Sequence, residues 1–402
     1  SAEQVAALQR RRFNAMVAHA IASTDFYAQR LLTANRGDVD PRSLPILTRQ
    51  DVREHRDALL ARDADRDRVR LGHTGGSTGN PLAFYYDEAK HALMLAVMKR
   101  GFMMSGWRPG QRVLYLWGAA RDVSGSGVFA RRGQGWLDSE LTLEAVEYSE
   151  SQLARWSDLI DRWRPVLLYG YASALAELAH YLIDSKRRPR ADLLGVYSTA
   201  EPPSATQREQ IQQAFGCRVF NQYGCREVPN IAWECRDGGM HVFSDRVLLE
   251  SVPGDGGDQL LVTSLSDRLM PFIRYRLGDT GRLLDERCSC GLPLPLMSME
   301  LCRQNDLITV ADGRRIHPAF FNGLMYGQNR VRQYQWRQLA PDHLELVLIS
   351  DGPLSPDDAQ SISARLRVRC GEQLRLDIHY VDQIPRSRSG KHRFVIGLGD
   401  RH

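Results

Sequence analysis

Between Arg112 and Tyr223 the chain repeats one arrangement: a short apolar run, then a helix-length stretch, then another apolar run. The runs are Arg112–Gly118, Pro165–Gly170, Leu193–Ser198 and Arg218–Tyr223, with helical patterns over Ala172–Asp184 and Ser204–Phe215. Short apolar strands separated by helices of about a dozen residues predict βαβ units and a largely parallel sheet. Ligands of such sheets bind outside the carboxyl ends of the strands. Gly118, Gly170, Ser198-Thr199-Ala200-Glu201 and Tyr223-Gly224 stand at those ends.

The flanks differ in style. Val5, Leu8, Phe13, Met16, Val17 and Ile21 fall near a 3.6 period and predict a helix from Glu3 to about Leu32, and Asp87–Ser105 reads the same way. After Trp233, Val247–Glu250, Gln259–Thr263, Phe272–Tyr275 and Gly281–Leu284 are short strands joined by Gly/Pro/Asp turns, the pattern of an antiparallel β subdomain over about 234–302. Beyond Cys302–Asp306 a compact tail has strand-like Leu344–Ile349, a helix from about Pro356 to Arg369 and strand-like Leu374–Val381. The expected organisation is α/β: a large domain over 1–302 with mostly parallel sheets and a β subdomain, and a small α+β domain over 303–402.

Charge excludes little. The net charge of +5 comes from 53 basic and 48 acidic residues, and the cluster Lys186-Arg187-Arg188-Pro189-Arg190 lacks the aromatic interleaving of a nucleic-acid site, so it reads as a solvated loop. The sequence holds no apolar run of membrane-spanning length and no leader pattern with a cleavage site, which sets a cytoplasmic expectation. Seven cysteines, an odd number, at spacings unlike a secreted disulfide framework, point to a reducing compartment.

Four segments carry chemistry. His73-Thr74-Gly75-Gly76-Ser77-Thr78-Gly79-Asn80-Pro81 is rich in glycine and hydroxyls and lacks the Walker spacing; such a loop suits either a polyphosphate or a surface hairpin. Pro385-Arg386-Ser387-Arg388-Ser389-Gly390-Lys391 is a small-residue turn ending in a lysine. Between them lie Asn221-Gln222-Tyr223-Gly224-Cys225-Arg226-Glu227 and Arg274-Tyr275-Arg276-Leu277-Gly278-Asp279-Thr280-Gly281-Arg282. In this order the four segments resemble the acyl-adenylate-forming ligase superfamily, and within it the phenylacetate–coenzyme A ligase-like branch with its capsule-biosynthesis relatives. Asp25-Phe26-Tyr27, Leu44-Pro45-Ile46-Leu47-Thr48, Glu234-Cys235 and Cys288-Ser289-Cys290-Gly291 extend the likeness over nearly the whole chain.

That resemblance implies roles. Thr74, Gly75, Ser77, Thr78 and Gly79 would wrap the phosphates of ATP, although Asn80 stands where the family usually has lysine. Glu227 would hold Mg²⁺, a hard cation that takes oxygen ligands. Asp279 would accept the ribose hydroxyls, while Ala200, Glu201, Pro202, Gln222, Tyr223 and Gly224 would enclose the adenine; Arg303 would also serve the nucleotide, near the hinge of a mobile C-terminal domain. Lys391 would bridge the carboxylate and the α-phosphate, two anions whose approach a cation eases. The plain readings are a surface glutamate, a β-turn aspartate and a solvated basic edge formed by Arg386, Lys391 and Arg393.

Cys235, His241, Cys288 and Cys290 are ligand types of a structural zinc site, at spacings looser than paired Cys-x-x-Cys; the alternative is free thiols and a surface histidine. Trp117, Tyr169, Tyr171 and Tyr197 are strand-end aromatics suited to an aromatic or short acid, or else to the core. The expectation is an ATP- and Mg²⁺-dependent ligase that makes an acyl-adenylate and passes the acyl group to coenzyme A. A carrier-protein thiol or an amine is the second acceptor, and a non-catalytic binding protein of the same fold is the rival. The expected partners are small carboxylic acids and the acceptor, without nucleic acid or membrane, with a homodimer as a further option.

Overall fold

The computed structural model describes residues 1–31, 38–73, 82–117, 139–145, 150–200, 202–254, 257–303, 308–313, 315–316, 321, 324–325, 328, 330–385 and 393–398. Helix α1, Ala2–Ser23, starts on a Ser1/Gln4 capping box and buries Phe13, Met16, Val17 and Ala20. The expected run to Leu32 stops early because Thr24 is extended and its hydroxyl caps a second helix, α2, Asp25–Arg30. Thr48 and Asp51 form a capping box on α3, Arg49–Glu54. Strands β1, Arg70–His73, and β2, Ala83–Tyr86, pair antiparallel on either side of residues 74–81. Helix α4, Glu88–Met103, is capped by Asp87.

The next elements are β3 Val113–Trp117, β4 Glu140–Glu144, α5 Glu150–Trp163, β5 Leu167–Tyr171, α6 Ala172–Asp184, β6 Gly195–Thr199, α7 Ala205–Phe215 and β7 Val219–Tyr223. The strands pair in parallel in the order β4-β3-β5-β6-β7; the four runs read from the sequence are parallel as expected, whereas β4 and α5 were not among the elements read there. Alternate residues serve opposite faces. Leu114, Leu116, Leu168 and Val196 pack with Trp156, Ile160 and Trp163 of α5, Leu178 of α6 and Ile211 of α7. Tyr115, Tyr169, Tyr197 and Phe220 pack with Met98 and Phe102 of α4. Each such side chain, fully buried, contributes about 1.5–3 kcal/mol from apolar burial.

Strands β8 Ala232–Glu234, β9 Met240–Val242, β10 Val247–Val252, β11 Gln259–Ser264, β12 Tyr275–Leu284 and β13 Leu296–Arg303 follow. They are antiparallel, as expected of the β subdomain, and share a core with α1, but they do not make a sheet of their own. β8 turns back antiparallel on β7, Gln222 facing Trp233, and the whole becomes one 11-stranded sheet in the order β10-β11-β12-β13-β9-β8-β7-β6-β5-β3-β4. The two short strands expected at Phe272–Tyr275 and Gly281–Leu284 are also corrected. Arg274 sits at φ +50, which ends any strand there, and β12 runs unbroken through the whole aspartate segment.

The chain continues with β14 Ile308–Thr309, β15 Arg315–Ile316, β16 Val331–Ala340, β17 His343–Ser350, α8 Pro356–Cys370, β18 Arg375–Tyr380 and β19 Val395–Ile396. Four of these strands make a second sheet, β18-β17-β16-β19, and Trp336, Leu344, Leu346, Leu348, Ile362 and Leu366 fill its own core. The fold is therefore α/β with one large mixed sheet and a separate C-terminal domain. No helix among the described residues is long and apolar enough to cross a membrane.

Candidate active site

The parallel and antiparallel halves of the large sheet meet at β7–β8, and the carboxylates singled out in the sequence gather there. Glu227 lies just past β7 and is 2% exposed. Its Oε1 accepts a hydrogen bond from the Tyr275 hydroxyl at 2.7 Å, and its backbone carbonyl accepts from Lys90 Nζ at 2.8 Å. Arg49 Nη2 stands 4.0 Å from the same Oε1. Burial pushes the Tyr275 hydroxyl well above its usual range, with the Glu227 charge adding to it, so Tyr275 stays a donor. At Arg49 the desolvation is outweighed by Tyr275 and Glu227, which hold the guanidinium charged. Arg49 Nε is buried and finds no hydrogen-bond partner among the described residues.

The second carboxylate, Asp279, accepts from the Tyr223 hydroxyl at 3.0 Å. It does not follow a strand, as the sequence suggested, but sits inside β12 where the pairing with β13 shifts between Asp279 and Gly281. A register shift re-aims a side chain without ending the strand. The backbone of Arg303 is the cross-strand neighbour of Asp279.

Beside this pair the end of β6 is built for close approach. Ala200 adopts φ +69, a left-handed conformation that costs a non-glycine residue about 1–2 kcal/mol. The Gln222 side-chain oxygen accepts from the hydroxyls of Tyr169, at 3.3 Å, and Thr199. Gly224 admits no side chain, because a Cβ would meet the Asn230 backbone nitrogen at 2.6 Å. Arg226 donates to the His73 carbonyl at 3.0 Å, which ties the Tyr-Gly-Cys-Arg-Glu turn to the residue preceding the glycine-rich segment. Thr74, Gly75, Ser77, Thr78, Gly79, Glu201 and Lys391 lie outside the described residues; Pro202 follows the end of β6 and is half-buried.

The aromatic expectation divides. Trp117 stacks on Tyr169 with ring centres 5.8 Å apart and remains partly exposed at the end of β3. Tyr171 is buried against Trp117 and the helical face of the sheet. Tyr197 is corrected to a core residue: it is fully buried, and its hydroxyl is 3.1 Å from the Gly101 carbonyl and 3.2 Å from that of Glu234. What the sequence reading missed is the pair Tyr275 and Arg49. Tyr275 was inside a quoted motif, whereas Arg49 carried no signal beyond its place after a helix cap.

The family model described as "CapK C-terminal domain" matches residues 308–397. A phenylacetate–coenzyme A ligase of Thermus thermophilus is 26% identical over 98% of this chain and 97% of its own length. Protein CapK of Staphylococcus aureus is 22% identical over 97% of this chain and 88% of its own length. The chain is similar to phenylacetate–coenzyme A ligases and to CapK over nearly its whole length. Among solved structures, 2-hydroxyisobutyryl-CoA ligase in its postadenylation state superposes with a TM-score of 0.75 at 18% identity, covering 99% of this chain and 90% of that one. The same enzyme in its thioesterification state gives 0.63 at the same coverage. The large sheet with its separate C-terminal domain is thus the fold of these ligases.

A second cluster lies toward the opposite strand ends, since β8 runs back along β7 before reaching Cys235. The ligand atoms of Cys235, His241, Cys288 and Cys290 lie within 4.8 Å of one another. Cys235 Sγ is 3.5 Å from Cys288 Sγ, and Cys290 Sγ is 3.2 Å from His241 Nε2. Ligand atoms around a tetrahedral zinc lie about 3.3–3.8 Å apart; three sulfurs and one imidazole are the donor types that ion takes, and here all four lie within 4.8 Å of one another.

Proposed function

We propose that the protein is an ATP- and Mg²⁺-dependent ligase that activates a carboxylic acid as its acyl-adenylate and transfers the acyl group to coenzyme A. The observation that carries this reading is the seam between the two halves of the sheet, where Glu227 and Asp279 are each held by a tyrosine hydroxyl. Each hydroxyl fixes the orientation of its carboxylate, and a carboxylate offers about four acceptor positions, so the pair is placed to take a cation or the hydroxyls of a ligand as well.

Glu227 is the residue to hold Mg²⁺, which supplies charge neutralisation on the phosphates when bound. Asp279 accepts the ribose hydroxyls, with Tyr223 fixing its orientation. Residues Ala200 to Pro202 and Gln222 to Gly224 frame the base, and Arg303 serves the nucleotide from the neighbouring strand. Thr74, Gly75, Ser77, Thr78 and Gly79 wrap the phosphates, with Arg226 anchoring the start of that segment and Arg49 Nε offering a donor to an anion. Lys391 bridges the attacking carboxylate and the α-phosphate, where two anions meet. Trp117 and Tyr169 favour an acid that is aromatic or short, because a stacked ring gains area and quadrupole contact together. Cys235, His241, Cys288 and Cys290 hold a structural zinc that ties β8, β9 and the turn before β13. In this reading residues 303–402, with Lys391, are the part that moves between the two steps.

Pyrophosphate exchange over a panel of aryl and short-chain acids tests the first step. Glu227→Gln and Lys391→Ala should each lower exchange at least about a hundredfold, the scale of losing one electrostatic group at a transition state. Exchange that survives Lys391→Ala would remove it from the mechanism, and coenzyme A consumption against an amine or carrier thiol decides the acceptor.

A further inference from the structure

The small domain meets the large one across a polar seam. Glu177 and His180 of α6, with Gln207 and Gln210 of α7, face Arg332 and Gln333 at the start of β16 around a narrow crevice. Arg332 Nη1 is 3.4 Å from His180 Nε2, and that nitrogen is also 3.1 Å from the Asp184 carboxylate. Arg332 is held from its own domain by Asp351 at 2.9 Å. Gln207 and Gln333 are buried within the seam. Burial pushes the Glu177 carboxyl above its usual range, while the charges of His180 and, from the small domain, Arg332 pull it back.

A seam of this composition opens at little cost, since each polar group regains water when the two sides part. It also sits on the element that matters for the lysine. Farther along β16, Trp336 and Arg337 pair with Val395 and Ile396 of β19, the strand that follows residues 386–392. Arg332 and β19 therefore belong to one four-stranded sheet, and whatever orients that sheet against α6 orients the strand that follows the Ser-Gly-Lys segment in the chain. The better superposition on the postadenylation form than on the thioesterification form of one and the same ligase shows that the two forms differ from this chain to different extents.

We propose that Glu177, His180 and Arg332 form a docking latch that holds the small domain in the orientation used for adenylation and parts when the acyl group is transferred. The catalytic half of this proposal rests on the ligase reading above; the docking half does not. These are positioning residues, acting through the placement of Lys391.

Amide hydrogen exchange and the two half-reactions test it separately. Arg332→Ala and Glu177→Gln should each speed exchange in α6 about tenfold, the scale of a lost charge-assisted contact, and leave β17 unchanged. The charge-swapped pair Glu177→Arg with Arg332→Glu should restore protection. Should Arg332→Ala unfold the small domain, seen as faster exchange in β17, Glu177→Gln carries the same test from the other side of the seam. Unchanged protection of α6 in a folded variant overturns the latch. In the same variants pyrophosphate exchange should fall while acyl transfer from supplied acyl-adenylate is kept; equal losses in both steps overturn the positioning role. A wild-type protein silent in pyrophosphate exchange with every acid would remove the ligase reading, and hydrogen exchange would still decide the latch.

Discussion

At the scale of single residues, the candidate site is defined by what satisfies its carboxylates. Glu227 is buried with one hydroxyl donor and one guanidinium within reach. Tyr275→Phe removes the donor and keeps the ring, so the cost is that of a buried acceptor losing its partner, about 1–3 kcal/mol. Thermal denaturation should show the loss, and calorimetry should show weaker Mg·ATP binding; an unchanged melting temperature would mean that the hydroxyl does not hold Glu227. The carboxylates themselves were legible, because each stands in a short motif with glycine beside it. Their partners were not: Tyr275 is 48 residues from Glu227, and a contact of that separation leaves no local pattern. Tyr197 misled for a related reason, since a strand-end tyrosine reads the same whether its hydroxyl meets a ligand or two backbone carbonyls.

At the scale of elements, α3 shows how a cap positions a site. The Thr48/Asp51 box starts the helix at Arg49, the residue beside Glu227. Burial raises the Asp51 carboxyl, but hydrogen bonds from Thr48 and Arg30 outweigh it and leave it below the ordinary carboxylate value. A carboxyl whose folded value is lowered stabilises above its unfolded value, about 4, and loses that contribution as pH falls through the folded one. Asp51→Asn should therefore cost about 1 kcal/mol at neutral pH, with the difference from the parent closing in acid melts. A gap that stays constant down to the acid limit would rule out the charged cap. Helix α4 makes a second, steric statement. A Cβ on Gly101 would overlap the Trp233 indole, which is fully buried in the core that also holds Phe102, Tyr169 and Tyr197. Gly101→Ala should cost about 1–3 kcal/mol, the range for overpacking, read as a lower midpoint in urea.

At the scale of the whole molecule, the alternation of apolar runs and helices announced the parallel half because each run there is buried on both faces. The antiparallel half was legible as strands but not as a continuation of the same sheet, since β8 is only three residues long and its pairing with β7 is a tertiary fact. β16 escaped notice because Val331-Arg-Gln-Tyr-Gln-Trp-Arg-Gln-Leu-Ala alternates large polar and apolar residues without a run. The four convergent thiol and imidazole groups extend across this same region, from β8 to the turn before β13. Protein purified without added metal should carry about one zinc per chain, and stripping it with a strong chelator should lower the melting temperature. Metal loss without thermal effect would leave the cluster as reduced thiols alone.

The junction at β7–β8 has a consequence for how the protein is made. Glu227 comes from the half of the sheet synthesised first, and Tyr275, which satisfies it, from the half synthesised later. Asp279 and Tyr223 are divided in the reverse sense, the hydroxyl made first and the carboxylate later. A nascent or truncated chain that stops before β12 lacks both Asp279 and the Tyr275 hydroxyl, and keeps Glu227 with Arg49 as its neighbour. The two carboxylate–tyrosine pairs therefore form together, when β12 joins the sheet.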